Sequence, residues 1–145
     1  MDIPGVLEQL RGYNLSPMER VLAAHTGMVQ LLLSLYFGEP VDVLLVAQTE
    51  ENGNIRRETS LVLQSSRREA CHAYSSIPLS INKPEVLDDI REGGLGLGQI
   101  CVKHGIPEGR LIKVIMVTPQ EITREYVIAA PGIVIREVFP RDLYE

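Results

Sequence analysis

The chain has 145 residues, 45% of them hydrophobic and 23% charged, which fits one compact domain over residues 1–145 with a real core and leaves little for a second. With 14 Lys and Arg against 19 Asp and Glu the net charge is -5, so the summed field repels phosphate backbones and anionic lipid, and neither nucleic acid nor membrane is an expected partner. The longest apolar stretches, Met28 to Phe37 and Val41 to Ala47, fall well short of the roughly 20 residues of a membrane helix.

The first clear element follows Leu15. Ser16-Pro17-Met18-Glu19 combines a Ser cap, a Pro at the first helical position and a Glu three residues past the cap, which together satisfy the orphan amides of a helix start. The helix runs to about Ala24, pauses at His25-Thr26-Gly27 and resumes from Met28 to Tyr36, where Val29, Leu32, Leu33 and Tyr36 share a face. Gly38 and Pro40 stop it. From Val41 the texture changes to short β-branched runs separated by turn residues. Six strands are predicted: Val41 to Gln48, Arg57 to Gln64, Ala70 to Ile77, Leu111 to Val117, Thr123 to Ala129 and Ile133 to Phe139. Glu51-Asn52-Gly53-Asn54 and Ala130-Pro131-Gly132 are hairpin links, and Ser65-Ser66-Arg67-Arg68 is a third. Between the third and fourth strands, Ser80 to Glu85 supplies caps and a first-turn Pro for a helix ending at Gly93-Gly94, and Leu95 to Ile100 leads into a shorter one ended by Gly105 and Pro107. Helices first, then a meandering sheet with one helical insertion, is an α+β fold with an antiparallel sheet.

Strand alternation marks where charge has been placed among apolar neighbours. In the last strand Glu137 shares a face with Ile133, Ile135 and Phe139, and in the second Arg57 shares one with Thr59, Leu61 and Leu63. A guanidinium at the entry to an apolar face can grip a carboxylate bidentately, and an acid in a dry pocket can hold a raised pKa and handle protons. The pair suits a small, acidic, partly apolar ligand. A plainer arrangement is also open, in which the two pair with each other or with Arg136 and Glu58. Lys113, alternating with Leu111 and Ile115, is a further candidate ligand contact, although lysine stems also snorkel to a sheet edge.

Other chemistry is not suggested. Glu92 to Gly98 is rich in Gly but lacks the Lys and Ser/Thr of a P-loop and follows a helix, so it reads as a C-cap or as a turn whose exposed amide contacts one carboxylate. His25, His72 and His104 are scattered, without metal-ligand spacing, and read as surface or loop histidines; no metal is expected. Cys71 and Cys101 lack CxxC or CxxH spacing and read as core thiols. An acid in Met1-Asp2-Ile3-Pro4, where a secretory leader carries basic residues, predicts a cytoplasmic protein.

Arg57-Glu58 opening a strand, Ser75-Ser76-Ile77-Pro78 at a strand end, Leu97-Gly98 entering a short helix, and Ile135-Arg136-Glu137-Val138-Phe139-Pro140 followed by Leu143-Tyr144 together resemble the chorismate lyase family, from about Leu15 onward. The resemblance implies a six-stranded antiparallel sheet with helices packed on one side. It also implies conversion of chorismate to 4-hydroxybenzoate and pyruvate by a cofactor-free elimination. By position, Arg57 resembles the arginine that binds the ring carboxylate and Leu97, beside Gly98, the residue whose backbone amide helps hold it. Glu137 resembles the acid that meets the ring oxygen. The same fold serves as the effector-binding domain of a family of bacterial transcription regulators, so the second reading is a non-catalytic module that binds a small aromatic acid. A complete repressor is not expected, because the residues before Val41 lack a basic recognition helix. An apolar edge strand would allow a homodimer.

Overall fold

A β-branched run with one apolar face is stable only when its backbone is paired and that face is covered. In the computed structural model the six runs pair into one open sheet. They are β1 (Val41–Glu51), β2 (Asn54–Leu63), β3 (Glu69–Pro78), β4 (Arg110–Val117), β5 (Glu121–Ile128) and β6 (Ile133–Pro140). Their order is β1-β2-β3-β6-β5-β4, and all neighbours are antiparallel. Residues 1, 26, 108 and 109, and the side chains of 110–114, lie outside what the structure describes. The sheet is two three-stranded meanders joined where β3 pairs with β6.

Strand ends extend beyond the predicted ones where a tight turn carries the ladder outward. Asn52 and Gly53 have φ of 52° and 76°, the left-handed conformations that two-residue hairpins require. Pairing therefore continues to Glu51↔Asn54, three residues past the predicted end of β1 at Gln48. Five helices accompany the sheet: α1 (Ile3–Arg11), α2 (Pro17–Ala24), α3 (Val29–Phe37), α4 (Pro84–Glu92) and α5 (Leu97–Lys103). The predicted capping box of α2 is present, with Ser16 Oγ accepting from Glu19 N and Glu19 Oε1 from Ser16 N. Left-handed Gly38 and Gly93 end α3 and α4. The sequence reading missed α1, whose start is capped by Asp2 Oδ1 accepting from Gly5 N at 3.0 Å. None of the described helices is long and apolar enough to cross a membrane.

The helices cover one face of the sheet in three clusters, the smallest of which joins Leu10, Leu15 and Ala23 to Ile115 and Ile122; the other two flank the site. In one, Val86, Leu87 and Ile90 of α4 and Ile100 of α5 pack on Ile55, Ile77, Tyr126, Ile128, Ile133 and Ile135. In the other, Leu22 of α2 and Val29 and Leu33 of α3 pack on Leu61, Leu63, Cys71 and Phe139. Along β2 the residues between Ile55 and Leu61 on that face are Arg57 and Thr59, both buried. The sheet thus carries a polar band between two apolar ones.

The C-terminal turn clamps this arrangement. Tyr144 donates to the Ala70 carbonyl at 2.6 Å, and Arg141 Nε donates to Glu19 Oε2 at 2.7 Å. Glu19 is 1% exposed, and Arg141, with the capping amide and hydroxyl of Ser16, holds its carboxyl below the usual range against the opposing effect of burial. A depressed carboxyl stabilises the fold fully above its unfolded value, near 4.5, and loses that contribution as pH falls through its folded value. Urea denaturation should therefore show Glu19→Gln less stable than wild type at neutral pH, with the gap narrowing below about pH 4.5; a gap that does not change with pH would remove Glu19 from the acid sensitivity.

Candidate functional site

Cross-strand pairing sets the polar band. One row runs Arg57, Ser75, Ile135, Tyr126, and the next runs Thr59, Ala73, Glu137, Arg124, across β2, β3, β6 and β5. Arg57 and Glu137 are thus two strands and two residues apart, about 12 Å between Cα atoms by standard spacing. Both line one small cavity of about 60 Å³, room for a few waters by the usual measure of one per roughly 10–15 Å³. Tyr126 and Ile135 form part of its sheet-side floor, and Met28, Gln30 and Leu97 line it from the helix side.

Arg57 is 3% exposed. Its Nη2 donates to the Leu95 carbonyl, while Nε and Nη1 are buried without a hydrogen-bond partner among the described residues. Burial pushes the guanidinium below its ordinary range, and no carboxylate among the described residues counters the effect. A cation stripped of water and left with open donors is a site for an anion, and a planar carboxylate matches its fork.

Glu137 is 5% exposed and has the apolar neighbours that alternation predicts. It also has a cation that the sequence reading did not name. Arg124, 0% exposed, donates from Nε to Glu137 Oε1 at 2.8 Å and from Nη1 to the His25 carbonyl. Its guanidinium carbon lies 4.8 Å from the centre of the Tyr126 ring. Burial alone would lower the pKa of Arg124, but the Glu137 carboxylate beside it raises it on balance. Glu137 is therefore a fixed acceptor rather than a solitary acid, and the plainer pairings with Arg57 or Arg136 are not formed: Arg136 faces Glu125 instead, at 3.7 Å. The signal for Arg124 was available, since Ile122, Arg124, Tyr126 and Ile128 alternate as Glu137 does in its own strand.

Leu97 and Gly98 open α5, where first-turn amides have no intrahelical acceptor, and both line the cavity. Gln99 Oε1 caps the preceding amide, that of Gly96, at 2.9 Å. A Cβ on Gly98 would lie 3.0 Å from Met28 Cγ, so glycine there lets α5 approach the start of α3. Gly93 is the C-cap of α4, with φ of 78°. Lys113 falls where the β4 register shifts between Ile112 and Val114, and its side chain lies outside the described residues. His72 is in β3, not a loop; its ring nitrogens meet Glu69 at 2.7 Å and Glu58 at 2.6 Å. Burial opposes its protonation, but the two carboxylates raise its pKa. Neither it nor His104, 2.5 Å from Asp89, lines the cavity.

No family model matches the chain, and no curated protein matches it.

Two stability measurements test this electrostatic arrangement. Replacing an unpaired buried cation by an apolar residue of similar length removes a desolvation cost, so Arg57→Met should leave stability unchanged or raise it by on the order of 1 kcal/mol. A loss above about 2 kcal/mol in chemical denaturation would mean that Arg57 is a structural residue. Arg124→Met should instead cost about 3–5 kcal/mol by stranding Glu137, and the Arg124→Met/Glu137→Met double variant should cost less than the sum of the single changes. Additive losses would show that the two side chains are not coupled.

Proposed function

We propose that the protein is a cofactor-free chorismate pyruvate-lyase acting in the cytoplasm, with the ring carboxylate of chorismate held by Arg57. The observation that carries this reading is the buried Arg57 guanidinium with two open nitrogens, in one cavity with the carboxylate of Glu137. The resemblance of the sequence motifs to the chorismate lyase family supplies the substrate. Cys71 and Cys101, both buried and not joined in a disulfide, suit a reducing compartment.

In this reading the carboxylate sits on Arg57 and the amide of Leu97. Glu137, held by Arg124, takes a hydrogen bond from the C4 hydroxyl and assists the movement of the proton lost from the ring. As the bond from the ring to the enolpyruvyl oxygen breaks, the electrons of the C4–H bond complete the aromatic system, and the departing enolpyruvate takes up a proton at its methylene carbon, balancing the one lost from the ring, to become pyruvate. Aromatisation supplies the driving force, so the protein has only to orient the ring and handle one proton. The small size of the cavity counts against a ligand as large as chorismate, and a second reading is a module that binds a smaller aromatic acid without turning anything over.

Chorismate incubated with the purified chain should give the absorbance of 4-hydroxybenzoate together with pyruvate, detected by a coupled reduction to lactate. Glu137→Ala should lower turnover more than binding, by about 10²–10⁴-fold if the carboxylate assists proton transfer, and Arg57→Ala should weaken binding. Unchanged conversion by both variants would overturn the assignment. Binding of 4-hydroxybenzoate with chorismate left intact would select the second reading.

A further inference from the structure

Arg57 is not the only group in the cavity with unmet hydrogen bonding. Gln30, at the start of α3, donates from Nε2 to the Val41 carbonyl at 2.8 Å. A carbonyl oxygen only accepts, so this bond fixes which way the side-chain amide is turned. Its other end, Oε1, is buried with no hydrogen-bond partner among the described residues, and Gln30 lines the cavity. That oxygen lies 3.6 Å from where a Cβ of Gly96 would stand, and Gly96 follows the residue whose carbonyl takes the Arg57 hydrogen bond. The open acceptor and the open cation therefore flank the same Leu95–Gly96 peptide, at the same end of the cavity.

The two do not satisfy each other, and they ask for opposite chemistry. Arg57 requires acceptor atoms with negative charge. Gln30 Oε1 requires a donor, and a bare carboxylate brought to Arg57 leaves it facing oxygen. A buried acceptor without a partner is among the costlier features a fold can retain.

We infer that Gln30 is a specificity-determining residue that accepts a hydrogen bond from a hydroxyl next to the ligand's carboxylate, so that the cavity prefers ring acids hydroxylated at the 2- or 3-position. The inference rests on the acid-binding reading of Arg57 and adds a ligand class to it. Chorismate carries no donor beside its ring carboxylate. It would leave Gln30 unsatisfied, and a 2- or 3-hydroxylated aromatic acid would occupy the same site as a tighter competitor that does not react.

Isothermal titration of the full chain with benzoate, 2-hydroxybenzoate and 3-hydroxybenzoate tests this without knowledge of the natural ligand. Wild type should bind one hydroxylated acid roughly tenfold more tightly than benzoate, the effect of one satisfied buried acceptor. Gln30→Met should bring the two within about twofold while benzoate affinity is little changed. Gln30→Glu, which sets a carboxylate beside Arg57 and opposite the Val41 carbonyl, should instead weaken all three acids alike. Arg57→Met should lose all three acids. If wild type shows no preference, or if Gln30→Met keeps it, a water rather than the ligand serves Gln30 and the inference falls while the acid site stands. If wild type binds none of the three acids, the acid-binding reading falls and this inference with it. Should Gln30→Met not fold, the wild-type series and Gln30→Leu decide the question.

Discussion

Moving a guanidinium out of water costs several kcal/mol, and inside this fold Arg57 recovers one hydrogen bond, to the Leu95 carbonyl. The neighbouring cation shows what a compensated arginine looks like in the same band: Arg124 has a carboxylate, a carbonyl and an aromatic face. Two arginines one row apart on one sheet face are thus treated differently: Arg124 has a carboxylate partner and one buried nitrogen, Nη2, without a hydrogen bond, whereas Arg57 has two such nitrogens and no carboxylate partner among the described residues, and the contrast separates an ion pair from a position kept open. The three charges of the band sum to one positive charge among buried side chains, which a single anionic group would cancel.

The apolar clusters on either side make that arrangement tolerable. Ile55 and Ile77 on one flank and Leu61, Cys71 and Phe139 on the other are buried, and they hold the helices against the sheet, with the hydrogen bonds of Arg57 to Leu95 and Arg124 to His25 between them. The helices in turn bring Leu97, Met28 and Gln30 over it. Glycine at 98 matters here because it lets the two helix starts come together above the cavity, which any side chain at that position would oppose.

Most of the sheet was readable in the sequence because local signals and tertiary context agree. All six strands and three of the four hairpins follow from β-branched runs and turn residues; the link between β4 and β5 was not among those read. The same alternation singled out Arg57 and Glu137, since a charge among apolar neighbours of one face needs no knowledge of the partner strand. Arg124 was equally legible, because its strand alternates as plainly as that of Glu137. Other features were not readable. The orientation of Gln30 depends on how α3 meets β1, and the Glu19–Arg141 pair joins residues 122 apart; Glu19 alone reads only as part of a capping box. The first helix was missed because its cap, Asp2, sits beside Pro4 and Gly5 in a stretch too short for periodicity to speak.

The junction between the two meanders has a bearing on assembly. Each meander is built from neighbours in the chain, but the seam of β3 with β6 forms only after the entire segment from Leu79 to Gly132 has looped back, and that closure carries the largest entropic cost of any strand pairing here. Ser75 opposite Ile135 and Ala73 opposite Glu137 straddle the seam, with Arg57 on one meander and Arg124 on the other. The pocket therefore does not belong to either half of the sheet and is created when the halves zip together, which makes its completion a marker of the finished topology.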